Sequence, residues 1–436
     1  MNRLSALVFT LTFIFLSGNA WADELAEVKK TGSGGEIEEL KARIEALEKK
    51  AQDTEVVDEL GHKLHPIHSI YGLKINGGVT VTAQGVNRIK GAHTRGAAAI
   101  SADLALESQV GKDGRAVVVL DFQNGAGLRN LPAFFTSPNG NPTGPNNDIE
   151  SFNNDGVHVA QAYYEHSFAP SLVMSVGQLD ITGYFDANAF ANNERKQFLA
   201  NTFVNNPAIE FGGSGNFYGP GVRVTYWPVE KIDITLGAFE GNGDYVDAFD
   251  NPFLMGELNF KLEPMGKTGN YRVYYWNRQG RTQNDLVNTA NPGDTGLIKA
   301  ENKGFGVSID QKVTETVGVW FRAGEQRKQV ARFDRHLSLG ASINGAAFGR
   351  HDDAIGLGVG TSYIGKVYKD YKKSQAANFK GSAETYMEAY YSFAVGEAAE
   401  NSGFHITPDI QYVTNPGGDS NAGNLFIYGV RLQAFF

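Results

Sequence analysis

The sequence predicts an all-β fold, a 16-stranded antiparallel transmembrane β-barrel preceded by a short periplasmic helix of amphipathic or coiled-coil type. Three observations predict it. From residue 71 onward apolar and polar residues alternate with period two, in segments of about ten residues, the length a tilted strand needs to cross a bilayer. The connections between segments alternate between short turns and long loops rich in Gly, Asn, Pro and Asp, a sorting that a soluble β-sandwich has no reason to show. The chain ends on an aromatic residue, with Phe426, Tyr428, Val430, Leu432, Ala434 and Phe436 on one face of the last segment and Arg431 and Gln433 on the other.

Ahead of the barrel the elements differ in kind. Arg3, the apolar run Leu4 to Leu16 and the small-x-small site Ala20-Trp21-Ala22 read as a secretory signal peptide over residues 1–22. No later run of 18 apolar residues exists, so no spanning helix is expected after it. The chain has no cysteine, which suits passage through an oxidising compartment without disulfides. Its 39 Lys and Arg against 48 Asp and Glu give a net charge of -9, or -10 once Arg3 is removed; this acidic balance argues against a nucleic-acid partner. Residues 23–35 form a flexible linker ending in Gly and Ser. Over residues 36–52, Ile37, Leu40, Ile44, Leu47 and Ala51 make an a/d seam of about two heptads with charged flanks. That seam suits a self-associating periplasmic stalk, a homo-oligomer contact, or an amphipathic helix on the barrel mouth. Residues 53–70 are a second linker. His62, His65 and His68 lie in it three apart, but Pro66 breaks the spacing and no thiol or carboxylate completes a metal set, so a solvated linker is the better reading.

The barrel, residues 71–436, divides into sixteen segments at roughly 72–87, 97–110, 115–123, 156–168, 171–180, 220–228, 231–240, 252–263, 269–278, 303–313, 316–324, 335–345, 353–362, 383–394, 403–413 and 424–436. An even number puts both ends of the barrel on the periplasmic side. Closure follows from hydrogen bonding, because an open sheet edge in hydrocarbon strands backbone groups at several kcal/mol each. Tyr226, Tyr271, Tyr275, Tyr391 and Phe393 fall on the outward register near strand ends, where aromatic girdles belong.

The inward register carries Asp103, Glu107, Asp121, Glu165, Asp180, Asp233, Glu257, Lys261, Asp310, Glu388 and Asp409, together with Arg223, Arg272, Arg322 and Arg431. A charge on the lipid face costs about 2–4 kcal/mol at the midplane, so their shared phase supports the register. A lining that mixes guanidinium donors with carboxylate acceptors suits polyhydroxylated solutes, and the inward Trp276, Tyr274, Trp320, Tyr386 and Tyr390 offer faces for sugar rings. The alternative is a polar wall stiffened by its own ion pairs. The longest loop, 181–219, contains a helix signal, with Asn192 as cap before Glu194 to Leu199. Its Phe185, Phe190, Phe198 and Phe203 favour folding inward onto the wall to form a constriction.

Several blocks resemble the carbohydrate-selective porin family of outer-membrane proteins, the OprB-like porins. They are Gly177-Gln-Leu-Asp180, Tyr184-Phe-Asp-Ala-Asn188, Phe190-Ala-Asn192, Glu194 with Gln197-Phe-Leu199, Phe203 to Ile209, Gly269-Asn-Tyr-Arg272, Asp310-Gln311, Gly349-Arg350 with Asp352-Asp353, Glu388-Ala-Tyr-Tyr391, Thr407 to Tyr412 and Asn415-Pro-Gly-Gly418. The resemblance spans about residues 70–436 and implies a pore for glucose and other carbohydrates, working by facilitated diffusion through a constriction of arginines and acidic groups. It carries Asp180, Asp186, Asn188 and Glu194 from the loop motif and Arg272 from a strand motif into the solute path. The inward register adds Arg223, Trp276, Asp310 and Arg322. The terminal Phe436 resembles the assembly signal of outer-membrane barrels, which implies the barrel assembly machinery as a partner. The helix over 36–52 departs from many members.

Catalytic signatures are lacking. There is no phosphate loop, no His-Glu-x-x-His and no Gly-x-Ser-x-Gly, and around His93, His158 and His336, near the rims, the sequence shows no catalytic constellation. A passive channel needing no cofactor is therefore expected. A general or anion-preferring pore, an outer-membrane enzyme and an envelope tether are the rival readings. Lys366, Lys369, Lys372, Lys373 and Lys380 make one external loop basic, which suits anions, lipopolysaccharide or mere solvation alongside the surrounding outer-membrane lipid.

Overall fold

The alternation of side chains meets its structural consequence in a closed ring of strands. In the computed structural model the described residues are 73–87, 96–125, 128, 134–140, 156–211, 218–241, 245, 249–283, 298–396 and 402–436. The signal segment, both linkers, the heptad seam, His62, His65, His68 and His93 lie outside them. Sixteen strands follow in order: β1 Leu73–Asn87, β2 Gly96–Val110, β3 Gly114–Gly125, β4 Gly156–Ala169, β5 Leu172–Asp180, β6 Tyr218–Val229, β7 Ile232–Glu240, β8 Pro252–Leu262, β9 Gly269–Gln283, β10 Ile298–Lys312, β11 Val317–Gln326, β12 Phe333–Asn344, β13 Ala354–Ile364, β14 Glu384–Ala394, β15 Gly403–Thr414 and β16 Leu425–Phe435. Each pairs antiparallel with its sequence neighbours, and β1 pairs with β16 to close the barrel. All sixteen segments expected from the alternation are present; β9 and β10 extend furthest beyond them.

Closure is completed at the last residue. Phe436 and Gly77 exchange two backbone hydrogen bonds of 2.9 Å, and the Phe436 ring lies where a Cβ on Gly77 would stand. A glycine there gives the terminal ring its seat on the outer face. That face is an apolar belt: Val118, Phe122, Val159, Leu236, Leu258, Val273, Leu339, Leu357, Met387, Ile410 and Leu432 are exposed on it. A water-soluble protein does not expose so continuous an apolar surface. Tyr226, Tyr275 and Phe393 are exposed in the same phase near strand ends, as the girdle reading expects.

The inward phase is polar, and much of it is buried nonetheless. Thr82, Ser101, Ser175, Arg223, Arg322, Glu388, Asp409 and Arg431 are all buried. Chain segments folded into the barrel cover them. Two of these segments position the candidate site: the β5–β6 loop, described through residue 211, and residues 134–140 of the β3–β4 loop.

Candidate functional site

The β5–β6 loop enters the lumen and is fixed there by charged side chains of the wall. Arg322 on β11 has no exposed surface. Its Nη1 donates to the carbonyls of Ala191 (2.5 Å) and Phe203 (2.6 Å), and its Nη2 to the carbonyl of Asp186 and to Asn192 Oδ1, both at 2.8 Å. Its Nε stands 3.0 Å from Asp186 Oδ2. Asp186 also accepts from Asn206 N (2.6 Å) and Tyr274 OH (3.0 Å), while its own N–H donates to Glu257 Oε2 on β8 (2.8 Å). This network holds Asp186 at φ 58°, a left-handed conformation that a non-glycine residue adopts only when its surroundings require it.

The same division of labour repeats around the wall. Glu388 on β14 accepts the N–H groups of Leu199 (2.5 Å) and Ala200 (2.9 Å), and Arg431 on β16 donates to the Glu194 carbonyl (2.6 Å). Asn188 donates to Ser308 Oγ (3.3 Å) and the Ile309 carbonyl (3.1 Å) on β10. Carboxylates take the loop's donors and guanidinium groups take its acceptors. An irregular segment buried without such partners would forfeit about 1–3 kcal/mol for each unpaired group. Phe185, Phe198 and Phe203 have no exposed surface; Phe198 and Phe203 lie 5.4 Å and 5.7 Å from the Trp320 ring, nearly edge-on to it. The inward folding expected from those phenylalanines is present. The expected helix over Glu194 to Leu199 is not. A single turn forms, capped by Asn193 Oδ1 rather than by Asn192, and ends as Glu388 draws the Leu199 and Ala200 N–H groups to the wall. The helix of this loop is instead the short α1, Asn201–Val204.

A second segment folds inward that the sequence reading did not identify. Glu384 on β14 accepts from the N–H groups of Phe135 (2.9 Å) and Thr136 (3.2 Å) and from Gly417 N (2.6 Å). Gln84 on β1 and Gln411 on β15 both donate to the Pro138 carbonyl, at 3.2 Å and 2.9 Å. The two loops bond to each other through Asn201 N to the Ser137 carbonyl (3.0 Å) and Gly140 N to the Leu199 carbonyl (2.6 Å). The adjacent Phe134 and Phe135, in a segment otherwise rich in Pro and Asn, were the available signal.

The wall from β1 to β6 is different. There Lys74, Glu107, Arg115 and Glu165 pair with one another and keep partial exposure, while Arg223 beside them is buried. Lys74 Nζ lies 3.4 Å from Glu107 Oε1, Arg115 Nη1 lies 3.3 Å from Glu107 Oε2, and Arg115 Nε lies 2.7 Å from Glu165 Oε1. Arg223 Nη2 lies 2.9 Å from Glu165 Oε2 and its guanidinium sits 4.3 Å over the Tyr184 ring. The ladder thus climbs from the periplasmic end of β1 to the folded loop. Beside it Arg195 of the loop pairs with Asp103 on β2. On β7 to β10, Lys261–Asp233 (2.7 Å) and Arg272–Asp310 (2.5 Å) are joined through Asn259 and Asn270.

The nine residues expected along the solute path therefore separate. Asp186, Asn188, Trp276 and Arg322 are enclosed between loop and wall, with Trp276 stacked 6.0 Å from Phe253, and their contacts are with the loop. Arg223, Arg272 and Asp310 are buried in pairs at the foot of the loop. Asp180 and Glu194 keep surface: Asp180 Oδ1 accepts from Thr182 N and Oγ1 at 2.9 Å and 2.6 Å, and Glu194 lies 3.8 Å from Arg195. Lys74, Glu107, Arg115 and Glu165, which form the ladder, are outside the nine, although Glu107 and Glu165 lie on the inward face that the alternation gives. No cluster of metal-ligating side chains occurs among the described residues.

Comparison with known proteins bears on the fold and the family. The high-pH structure of Pseudomonas putida OprB superposes with a TM-score of 0.68 at 17% identity, over 84% of this chain and 94% of that one. The low-pH structure of the same protein gives 0.50 at 14% identity, over 84% and 93%. An uncharacterized protein of Aquifex aeolicus (strain VF5) is 23% identical over 290 residues, 66% of this chain and 73% of that protein. The two structural likenesses show the barrel fold. The profile of the carbohydrate-selective porin OprB family matches residues 76–436. The family and the fold are those of outer-membrane channels rather than enzymes. The chain belongs to the carbohydrate-selective porin OprB family.

Proposed function

We propose that the barrel passes monosaccharides such as glucose, and other small polar solutes, by facilitated diffusion along the β1–β6 wall. The observation that carries this reading is the ladder Lys74–Glu107–Arg115–Glu165–Arg223, which ends against the ring of Tyr184 and faces a lumen narrowed by two folded loops. Alternating donors and acceptors give each hydroxyl of a sliding sugar a partner before the last one is released. No single contact is strong enough to trap it. Asp180, Glu194 and Arg195 supply the polar edge on the loop side.

The remaining parts of the reading concern assembly. Residues 1–22 direct export, and the helix over 36–52 stands in the periplasm and joins copies of the chain through its heptad seam. The β16 end at Phe436 engages the barrel assembly machinery. The test is swelling of proteoliposomes in isosmotic sugars, with Arg115→Gln and Glu165→Gln beside the parent protein. Uptake that falls with sugar size and is slowed by both substitutions supports the reading. Uptake that ignores both substitutions leaves a pore without the proposed sugar track.

A further inference from the structure

Residues 327–335, the β11–β12 connection with the first three residues of β12, and residues 365–383, which connect β13 to β14, lie at the outer rim. Together they carry nine Lys and Arg and only two carboxylates, Asp334 and Asp370, in a chain of net charge -9. The two connections are neighbours, because β12 and β13 pair, and Gly365 N donates to the Arg332 carbonyl at 2.9 Å. The cations ride on a packed platform. Helix α2, Lys366–Gln375, sets Tyr368 edge-on to Phe135 at 6.1 Å, and Phe135 lies 5.4 Å from Phe333. The segment after it is tied by Ser420 N to the Lys380 carbonyl (3.0 Å) and Asn421 Nδ2 to the Asn378 carbonyl (2.6 Å).

One of these cations faces lipid. Arg335 shares the outward phase of β12 with Leu337 and Leu339, and stands opposite Tyr363 on β13 and Glu325 on β11. Its side chain is 62% exposed, its guanidinium is 5.3 Å from the Tyr363 ring centroid, and its Nε is 3.7 Å from Asp334 Oδ1. It lies two positions from Leu337, about 7 Å along the strand, which sets it at the upper edge of the apolar belt. Lys366, 79% exposed and 2.7 Å from Asp370, opens the adjoining connection. Lower on the same strands the outer face has an apolar depression of about 680 Å³ lined by Leu339, Ala341, Leu357, Val359, Met387 and Ala389.

We propose that this face of the barrel docks a phosphorylated lipid of the outer leaflet, its phosphate held by Arg335 and Lys366 and an acyl chain lying in the depression over Ala341 and Ala389. The proposal rests on the barrel's outer-membrane placement. A cation at headgroup height above an apolar groove matches an anionic amphiphile in both charge and shape, and a guanidinium stacked on Tyr363 keeps its donor fork preorganised for phosphate oxygens. The carboxylates of Asp334, Glu325 and Asp370 leave the cluster net positive.

The test is native mass spectrometry of the full chain in detergent, titrated with bisphosphorylated lipid A, phosphate-free lipid A or inorganic phosphate. Arg335→Gln combined with Lys366→Gln should weaken binding of the bisphosphorylated lipid about tenfold, and phosphate-free lipid A should bind the parent protein about tenfold more weakly. Lys303→Gln, a rim cation paired with Glu301 at 2.6 Å, should bind like the parent, and Arg335→Lys should recover part of the loss. Ala341→Trp, filling the depression, should weaken the lipid without altering phosphate preference. Equal binding of phosphate-free lipid, displacement by inorganic phosphate at millimolar concentration, or parental binding by the double variant would overturn the proposal. So would a lipid-free dimer that the double variant abolishes. Sugar uptake by the double variant should match the parent, which separates this outcome from failure of the pore reading.

Discussion

The wall from β8 to β16 and the wall from β1 to β6 use the same residue types for different ends. On the first, Glu257, Arg322, Glu384, Glu388 and Arg431 spend their hydrogen-bonding capacity on the backbones of two loops, and they are buried. On the second, Lys74, Glu107, Arg115 and Glu165 pair side chain to side chain and keep exposure. An inward register therefore does not make a residue a lumen residue. What covers it decides, and that is set by the loops.

The sharpest way to break the comparison is at Arg322. Replacing it with Met strands three loop carbonyls and leaves the Asp186 carboxylate buried without its cation, a loss of about 3–5 kcal/mol. The β5–β6 loop should detach, and limited proteolysis should cut near residues 186–206 in the variant while the parent resists. Equal resistance would mean that other contacts hold the loop.

A smaller effect is expected from shape. Gly318 on β11 lies under the Phe190 ring, where an added Cβ would overlap it. Gly318→Val should cost about 1–3 kcal/mol, read as a lower unfolding midpoint in detergent, and should free Phe190 without releasing the Arg322 network. A comparable substitution on the other wall has no loop to displace. Arg115→Gln should change stability by less than about 1 kcal/mol, because its partners remain partly solvated. Its effect should appear as a shift of the reversal potential in a salt gradient toward cation preference.

The smallest effect concerns the periplasmic turn between β12 and β13. Asp353 is buried, which raises its carboxyl, but hydrogen bonds from Arg350, Tyr391 and the Ala394 N–H outweigh burial and hold it at about 2. A depressed carboxylate contributes stability above its unfolded value of about 4, and that contribution is lost as pH falls toward 2. Asp353→Asn should flatten the pH dependence of the unfolding midpoint between about 4 and 2 and leave loop resistance to protease unchanged. A parallel decline in variant and parent would remove Asp353 from the acid response.

The strands were legible because hydrocarbon on one side and polar groups on the other impose strict alternation, visible within each segment of about ten residues. The anchoring of the loops was not. Glu384 meets the Phe135 N–H across 249 positions of sequence and Gln411 meets the Pro138 carbonyl across 273, and no local pattern encodes such pairings. The expected helix at Glu194 to Leu199 failed for the same reason, since Glu388, 189 positions from Leu199, competes for the N–H groups it needed. The alternation places Arg322 and Trp276 inward but carries nothing about the loop that covers them, because periodicity reports a side chain's direction and not its cover. The ladder from Lys74 to Arg223 was visible only in part. Lys74, Glu107, Glu165 and Arg223 fall in the polar phase of the alternation, while Arg115 sits at a strand start where the alternation is weakest.

Single-channel recordings with a glucose titration, run on the parent, Arg115→Gln and Arg322→Met, test the partition of the two walls most directly. The partition predicts that Arg115→Gln keeps parental conductance and loses sensitivity to glucose, while Arg322→Met gains conductance as the constriction opens. Glucose sensitivity that survives Arg115→Gln, together with parental conductance in Arg322→Met, would contradict it.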